Sequence, residues 1–376
     1  MKILVLSHEY PPIGGGGGMV AKDLAVGLAG KGHEIVILTT KVDNEEIEAL
    51  PPNIQVKRVS TFRKSAFRAG LIDMAAYNIA ALWHGMKIMR QWKPDLIHAH
   101  FAVPAGAVAL LLSRLYKKPY IITAHLGDVP GAVPSKTDDW FRWMLPFTHS
   151  IWSNASNIVA VSEFTRQLAL RHYPVNITVI HNGVELNALQ KPTLDPSSTQ
   201  PTRLIFAGRF AEQKNPSHLV QALAPLKGLA WECNMLGDGP LYEQTRQQAK
   251  EYGIENQFIF FGWVTPDQVK EAFLSNDILV LPSSSEGLSV VGVQALAMGL
   301  AMVLSNAGGN PELVNGMNGA LFEVGDVTTL TNTLRTYITD RSALITARKN
   351  SLEFAKKFDL GLIVDQYESI FKEIVQ

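Results

Sequence analysis

Thiols are almost absent. The 376-residue chain has one cysteine, Cys233, so no disulfide can form within it and a structural zinc site built on several thiolates is excluded. An excess of either charge is also missing: Lys+Arg is 34 and Asp+Glu is 34, a formal net charge of zero. Proteins that coat nucleic acid usually carry a basic excess, so no nucleic-acid partner is expected. Long apolar runs are lacking too. The longest uninterrupted one spans residues 101–112, short of the ~20 residues a membrane span needs. Residues 1–7 hold one Lys and then a short apolar run, which reads as a first strand rather than a signal peptide. A cytoplasmic protein is expected.

What is present suffices for substantial cores, since hydrophobic residues make up 47% of the chain. At roughly 100–200 residues per domain, the length suggests two domains, or one large one. The zero charge hides an asymmetry. Residues 1–190 carry 19 Lys+Arg and 14 Asp+Glu, a net of +5, and residues 191–376 carry 15 and 20, a net of −5.

The first half alternates strand and helix signals. Short apolar runs at residues 3–6, 35–39, 54–59, 96–98, 120–123 and 158–161 read as strands. Helical stretches at 72–92 and 103–116, and Val20, Leu24 and Leu28 on one helix face, separate some of them. Residues 186–202 are proline-rich and poor in apolar residues, and read as a linker. The pattern then restarts, with strands expected at 204–207, 234–236, 258–261, 278–281, 302–304 and 320–322, and a last amphipathic helix at 360–375. Strands alternating with helices imply α/β architecture with parallel sheets covered on both faces. Two doubly wound, Rossmann-like domains facing across a cleft are the simplest assembly, with ligands at the carboxyl ends of the strands.

Three stretches carry chemistry. Pro11-Pro12-Ile13 and the glycines Gly14 to Gly18 lie between the first strand and a helix expected to start near Met19. Glycines let backbone approach a ligand, and a helix N-terminus favours an anion. This is no dinucleotide fingerprint: the third glycine of G-x-G-x-x-G is replaced by Met19 or Ala21, and no acid follows the strand ending Leu38-Thr39-Thr40. The second stretch, Gly208-Arg209 to Lys214, puts a guanidinium and an ammonium after a strand, which suits a diphosphate. The third runs from Pro282 through Glu286, Gly287, Leu288 and Ser289 to Gln294. There a helix would offer N–H groups near Leu288 and Ser289 to an anion, while Glu286 and Gln294 could turn toward one ligand. The first stretch also has a plain structural reading as a flexible loop and the second as solvated surface charges, while the third is the most specific signal in the chain.

Together these residues resemble a retaining glycosyltransferase of family 4, with the GT-B fold. The family's Glu-x7-Glu region matches from Glu286, and its Gly-Arg…Lys match is Gly208, Arg209 and Lys214. Other matching pieces are Gly15 and Gly16, Gly32-His33-Glu34, Asn182-Gly183-Val184, Gly237-Asp238-Gly239-Pro240, Phe261-Gly262 and Gly308-Gly309…Glu312, in family order over nearly the whole chain. Two positions depart. Gln294 replaces the family's second Glu, and Thr123-Ala124-His125-Leu126-Gly127-Asp128 keeps the His-to-Asp spacing but shifts the glycine.

The resemblance implies an acceptor domain at residues 1–190, a donor domain at 191–355 and a helix at 356–376 that returns to the first domain. It implies transfer of a hexose, with retention, from a nucleotide-sugar to a saccharide or lipid-linked saccharide in polysaccharide or glycoconjugate synthesis. The first choice of donor is UDP-glucose, with a GDP-hexose second. Arg209, Lys214 and the N–H groups near Leu288 and Ser289 would stabilise the leaving diphosphate. Glu286 would hold sugar hydroxyls and Gln294 the ribose, with Gly15, Gly16, Gly208 and Gly287 near the donor. His125 would face the sugar from the other wall, and Asp128 is a candidate on the acceptor side. No metal or other cofactor is expected, and no Asp-x-Asp occurs in the chain. Cations beside aromatics at 57–68 and 140–144 suit peripheral contact with the inner face of an anionic membrane. A nucleotide-sugar epimerase of the same fold, or a non-catalytic nucleotide-sugar-binding protein, are the alternatives.

Overall fold

The computed structural model describes residues 1–13, 15–41, 49–61, 70–132, 147–189, 192–194 and 200–375. The basic-aromatic stretch at 140–144, residues 62–68 of the other such stretch, Gly14 and much of the proline-rich segment lie outside them. The chain divides into two units, one of Met1–Gly183 with Leu360–Gln376 and one of Val184–Asp359.

The first unit holds seven strands: β1 (Lys2–Leu6), β2 (Glu34–Thr40), β3 (Ile54–Val59), β4 (Leu96–His100), β5 (Tyr120–Ala124), β6 (Asn157–Ala160) and β7 (Thr178–Val179). All pair in parallel, in the order β3-β2-β1-β4-β5-β6-β7. Parallel strands covered on both faces read as continuous apolar runs, and β4 and β5 are buried along their whole length. Helices α1 (Gly16–Gly30), α2 (Leu71–Gln91), α3 (Ala107–Tyr116) and α4 (Glu163–Leu170) make the crossovers.

Two elements differ from expectation. The helix placed at 103–116 begins only at Ala107. Residues Ala102–Gly106 form a kinked turn with non-helical φ/ψ at Val103, because Pro104 disfavours helical backbone at the residue before it. Helix α1 starts at Gly16, not near Met19. The glycines permit this start: a Cβ on Gly17 would lie 2.4 Å from the Phe101 ring, and one on Gly18 3.2 Å from the Glu9 backbone.

The second unit repeats the plan with β8 (Thr202–Ala207), β9 (Trp231–Leu236), β10 (Phe258–Gly262), β11 (Ile278–Leu281), β12 (Ala301–Ser305) and β13 (Gly319–Phe322). Their order is β10-β9-β8-β11-β12-β13, again all parallel. The helices are α5 (Pro216–Leu223), α6 (Tyr242–Glu251), α7 (Pro266–Leu274), α8 (Val290–Ala297), α9 (Val327–Thr339) and α10 (Arg341–Ala355). A buried ion pair ties α10 under the sheet. Arg348 Nη1 lies 2.6 Å from Asp277 Oδ1, Asp277 Oδ2 accepts from the Arg203 N–H, and Arg348 Nε donates to the Gly299 carbonyl.

Helix α11 (Leu360–Val375) closes the first unit. It lies close to α1, where a Cβ on Gly27 would sit 2.4 Å from Val364. His33 Nε2 is 3.0 Å from Glu368 Oε1, and His33 Nδ1 is 3.1 Å from the N-terminal amine. The Gly32-His33-Glu34 piece of the resemblance thus fastens this helix to β1 and β2. The unit boundaries differ from the expected 190/191 and 355/356. They fall at Gly183/Val184 and Asp359/Leu360 because the two chain crossings pair with each other: Val184 donates to the Phe358 carbonyl and bridges to Asp359. Among the described residues no helix is long and apolar enough to cross a membrane.

Candidate functional site

In an open α/β sheet the crevice forms where strand order reverses. In the second unit that point lies between β8 and β11. Gly208 and Arg209 follow β8, and residues 283–289 follow β11. The loops there are laced backbone to backbone. Gly208 donates to the Leu236 carbonyl, Phe210 to that of Asp238, and Leu241 to that of Phe210. Gly237 and Gly239 have φ of +122° and +155°, and a Cβ on them would lie 1.9 Å from the Gly208 oxygen and 2.4 Å from the Phe210 oxygen. No side chain fits at either position, which is why the Gly237-Asp238-Gly239 piece accompanies Gly208-Arg209.

Lys214 and Glu286, 72 residues apart, meet here as an ion pair through Lys214 Nζ and Glu286 Oε1. Ser283 Oγ donates to the same oxygen at 2.7 Å. The Glu286 loop is held from two sides. Gln213 Nε2 donates to the Ser285 carbonyl and the Ser284 N–H donates to that of Gln213. The Gly309 N–H donates to the Glu286 carbonyl, with Gly308 at φ +59° so close that a Cβ would lie 1.9 Å from that oxygen. Glu286 Oε2 is left uncommitted among the described residues, and the half-buried Arg209 makes no ion pair or side-chain hydrogen bond to any of them. Lys214 therefore is not the free cation the spacing suggested. Its charge is shared with Glu286, and Arg209 carries the uncompensated one.

Helix α8 begins at Val290, with Ser289 as its N-cap. Ser289 Oγ accepts from the Gly292 N–H at 3.1 Å and its carbonyl from Val293. Among the described residues the N–H groups of Ser289, Val290 and Val291 donate to no acceptor, so the start of α8 keeps donors beside Ser289. Gln294 is buried on α8, and its amide makes no side-chain hydrogen bond to a described residue.

In the first unit the strand order reverses between β1 and β4. The glycine loop follows β1 and Phe101 follows β4. Gly15 caps α1, and its N–H donates to Glu9 Oε2 at 3.3 Å, so the protein's own carboxylate stands at this helix start. Gly16 opens the helix beside it. Phe101 has φ +75°, unusual for a residue with a side chain. Its ring touches Gly17 and stands 4.7 Å from His8 and 4.5 Å from His125 between centroids.

His125 directly follows β5, is buried, and has no partner at Nε2 among the described residues. Burial, reinforced by His8, lowers its pKa to about 3, so its ring is neutral at physiological pH. It can exchange hydrogen bonds with a hydroxyl but supplies no charge. His98 and His100 lie behind it. The two ring nitrogens of His100 have no partner among the described residues, and burial lowers both residues' pKa values, that of His98 to about 3. Asp128 points inward. Its Oδ2 accepts from the His125 N–H at 2.8 Å and its Oδ1 from the Val103 N–H at 3.3 Å. Burial pushes its pKa up to about 7 against those donors. Asp128 therefore fastens His125 to the kink after β4 and, like His125, is buried. Phe101 and Glu9 were not singled out in the sequence; the strand-end run His98-Ala99-His100-Phe101 was the available signal.

The comparisons with known proteins agree with this layout. The family described as "Glycosyltransferase Family 4" matches residues 14–188, and "Glycosyl transferases group 1" matches residues 194–358. An uncharacterised glycosyltransferase of Methanocaldococcus jannaschii is 26% identical over 100% of this chain and 99% of its own length. The structure of sucrose-phosphate synthase from Thermosynechococcus elongatus superposes with a TM-score of 0.84 at 20% identity, covering 99% of this chain and 98% of that one. The Anabaena protein HepE in complex with UDP-glucose superposes at 0.76 with 21% identity, over 99% and 100%.

Proposed function

The chain belongs to the family 4-type glycosyltransferases of GT-B fold, and on that premise we propose that it is a retaining, metal-independent hexosyltransferase moving glucose from UDP-glucose onto a saccharide or lipid-linked saccharide. The observation that carries this is the cluster at the reversal point of the second sheet: the unpaired Arg209 beside the Lys214–Glu286 pair. A diphosphate gains negative charge as it leaves a sugar, and donors fixed in advance stabilise that charge best. Arg209 offers a planar fork to the phosphates, and the Val290 and Val291 N–H groups add neutral donors. Lys214 holds Glu286 in place and contributes its own positive charge. Glu286 Oε2 accepts from sugar hydroxyls, and the Gln294 amide bonds the ribose.

In the reaction, the bond from the anomeric carbon to the diphosphate oxygen breaks and a bond to the acceptor oxygen forms on the same face. The acceptor's proton passes to the departing phosphate. His125 can position a hydroxyl by hydrogen bonding. The UDP-glucose assignment is supported by the UDP-glucose in the HepE structure, with a GDP-hexose as the second choice. Arg209→Ala and Lys214→Ala should each lower turnover of UDP-glucose by about 100-fold or more while the circular dichroism spectrum is unchanged. Near-normal turnover in both variants would overturn the assignment. Formation of an epimer from donor alone would make the protein an epimerase instead.

A further inference from the structure

Helix α2 is apolar on two opposite faces. One face carries Tyr77, Ala81, Ile88 and Met89 into the core, and a Cβ on Gly85 would lie 2.7 Å from the Leu112 side chain of α3. The opposite face, turned to solvent, carries Ile72, Ile79 and Trp83, which are 73%, 74% and 72% exposed. On the adjoining α3, Leu111 and Leu115 are exposed as well. A solvent-facing helix normally puts polar residues there, and clustered exposed apolar groups mark an interaction surface.

The charges around the patch have one sign. Lys87, Arg90 and Lys93 end α2, and Arg114, Lys117 and Lys118 end α3; Asp73 is the one acid of these two segments. The two helix ends are neighbours, since Tyr116 Oη donates to the Met86 carbonyl. None of the six cations is ion-paired to a described residue. Arg90 lies five turns along the stripe from Ile72, in line with Ile79 and Trp83.

We infer that the outer face of α2 and α3 docks the protein on the surface of an anionic phospholipid bilayer. Trp83, Ile79 and Ile72 enter the headgroup boundary and the six cations meet lipid phosphates. Indole rings favour that boundary, and a helix with one apolar and one basic zone lies in its plane. Charge complementarity selects this occupant. A second copy on a two-fold axis would set these cations against one another, and a nucleic acid would leave the aliphatic groups unused. The surface is separate from the nucleotide cluster, so its test and the test of the transfer reaction can fail independently.

Co-sedimentation of the full chain with vesicles of phosphatidylcholine alone, and of phosphatidylcholine with phosphatidylglycerol, tests the inference. The protein should pellet with the anionic vesicles, and less so as salt rises. The double variants Ile79→Ser/Trp83→Ser and Lys87→Glu/Arg90→Glu should each lower partitioning about tenfold or more, with melting temperatures like that of the wild type and unchanged UDP-glucose binding. Failure to pellet with anionic vesicles at low salt would overturn the inference, as would equal pelleting of the variants. So would a dimer in sedimentation velocity that Ile79→Ser/Trp83→Ser dissolves, which would assign the face to a second copy.

Discussion

Lowering the pH from 7 to 5 should destabilise the first unit sharply. Burial holds His98 and His125 at about 3, against an ordinary 6.5, and places His100 well below it. A depressed histidine pKa means that the unfolded chain takes up the proton first. Stability is therefore complete above the unfolded value and is lost as pH falls from 6.5 toward 3. At pH 5 His98 and His125 each forfeit about 2 kcal/mol, about 4 kcal/mol together, and His100 shifts stability in the same direction. Asp128 opposes them. Its folded value near 7 lies above its ordinary 3.8, so its contribution is greatest in acid and fades as pH rises through 7. Between pH 7 and 5 it returns about 2 kcal/mol. The net loss, about 2 kcal/mol before His100 adds to it, is a sizeable part of the 5–15 kcal/mol that holds a typical domain together. Urea unfolding between pH 7 and 5 measures this directly, and Asp128→Asn should steepen the loss by removing the compensating group. A midpoint that stays constant over that range would refute the buried, neutral histidine cluster.

Other perturbations probe the second unit and the site. Removing one partner of the buried pair, by Arg348→Ala or Asp277→Ala, should cost about 3–5 kcal/mol, read as an earlier calorimetric transition; a loss below 1 kcal/mol would mean that the pair is hydrated. Gly308→Ala should displace the Glu286 loop, because the new Cβ would lie 1.9 Å from the Glu286 oxygen at φ +59°. Donor turnover should drop at least about tenfold and stability by about 2 kcal/mol, and normal turnover would contradict the packing. Gln294→Ala should weaken UDP binding about fivefold, the worth of one neutral hydrogen bond, in a calorimetric titration; unchanged affinity would remove Gln294 from the ribose.

The sheets were legible because buried parallel strands need apolar residues on both faces, which makes each strand a short apolar run. The exception was β7, whose two residues Thr178 and Val179 give no pattern to read. The kink at Ala102–Gly106 was hidden inside the longest apolar run, where composition does not separate kinked from helical backbone and Pro104 alone marks the break. At the site, the motif residues pointed to the right loops but not to their partners. The Lys214–Glu286 pair depends on two loops brought together by sheet order, and the inward turn of Asp128 depends on N–H groups of His125 and Val103. Neither pairing leaves a trace in local sequence. The exposed stripe of α2 was read only as part of a helical stretch, since periodicity does not say which of two apolar faces is covered.

The most direct measurement is calorimetric titration of UDP-glucose, and of UDP alone, into the wild type, Arg209→Ala and Glu286→Gln. If the nucleotide-sugar rests on the cluster at the reversal point of the second sheet, the wild type binds. Arg209→Ala then loses at least about tenfold in affinity through the diphosphate, and Glu286→Gln keeps UDP affinity while weakening UDP-glucose. Equal affinities in all three proteins would place the donor elsewhere and contradict the account.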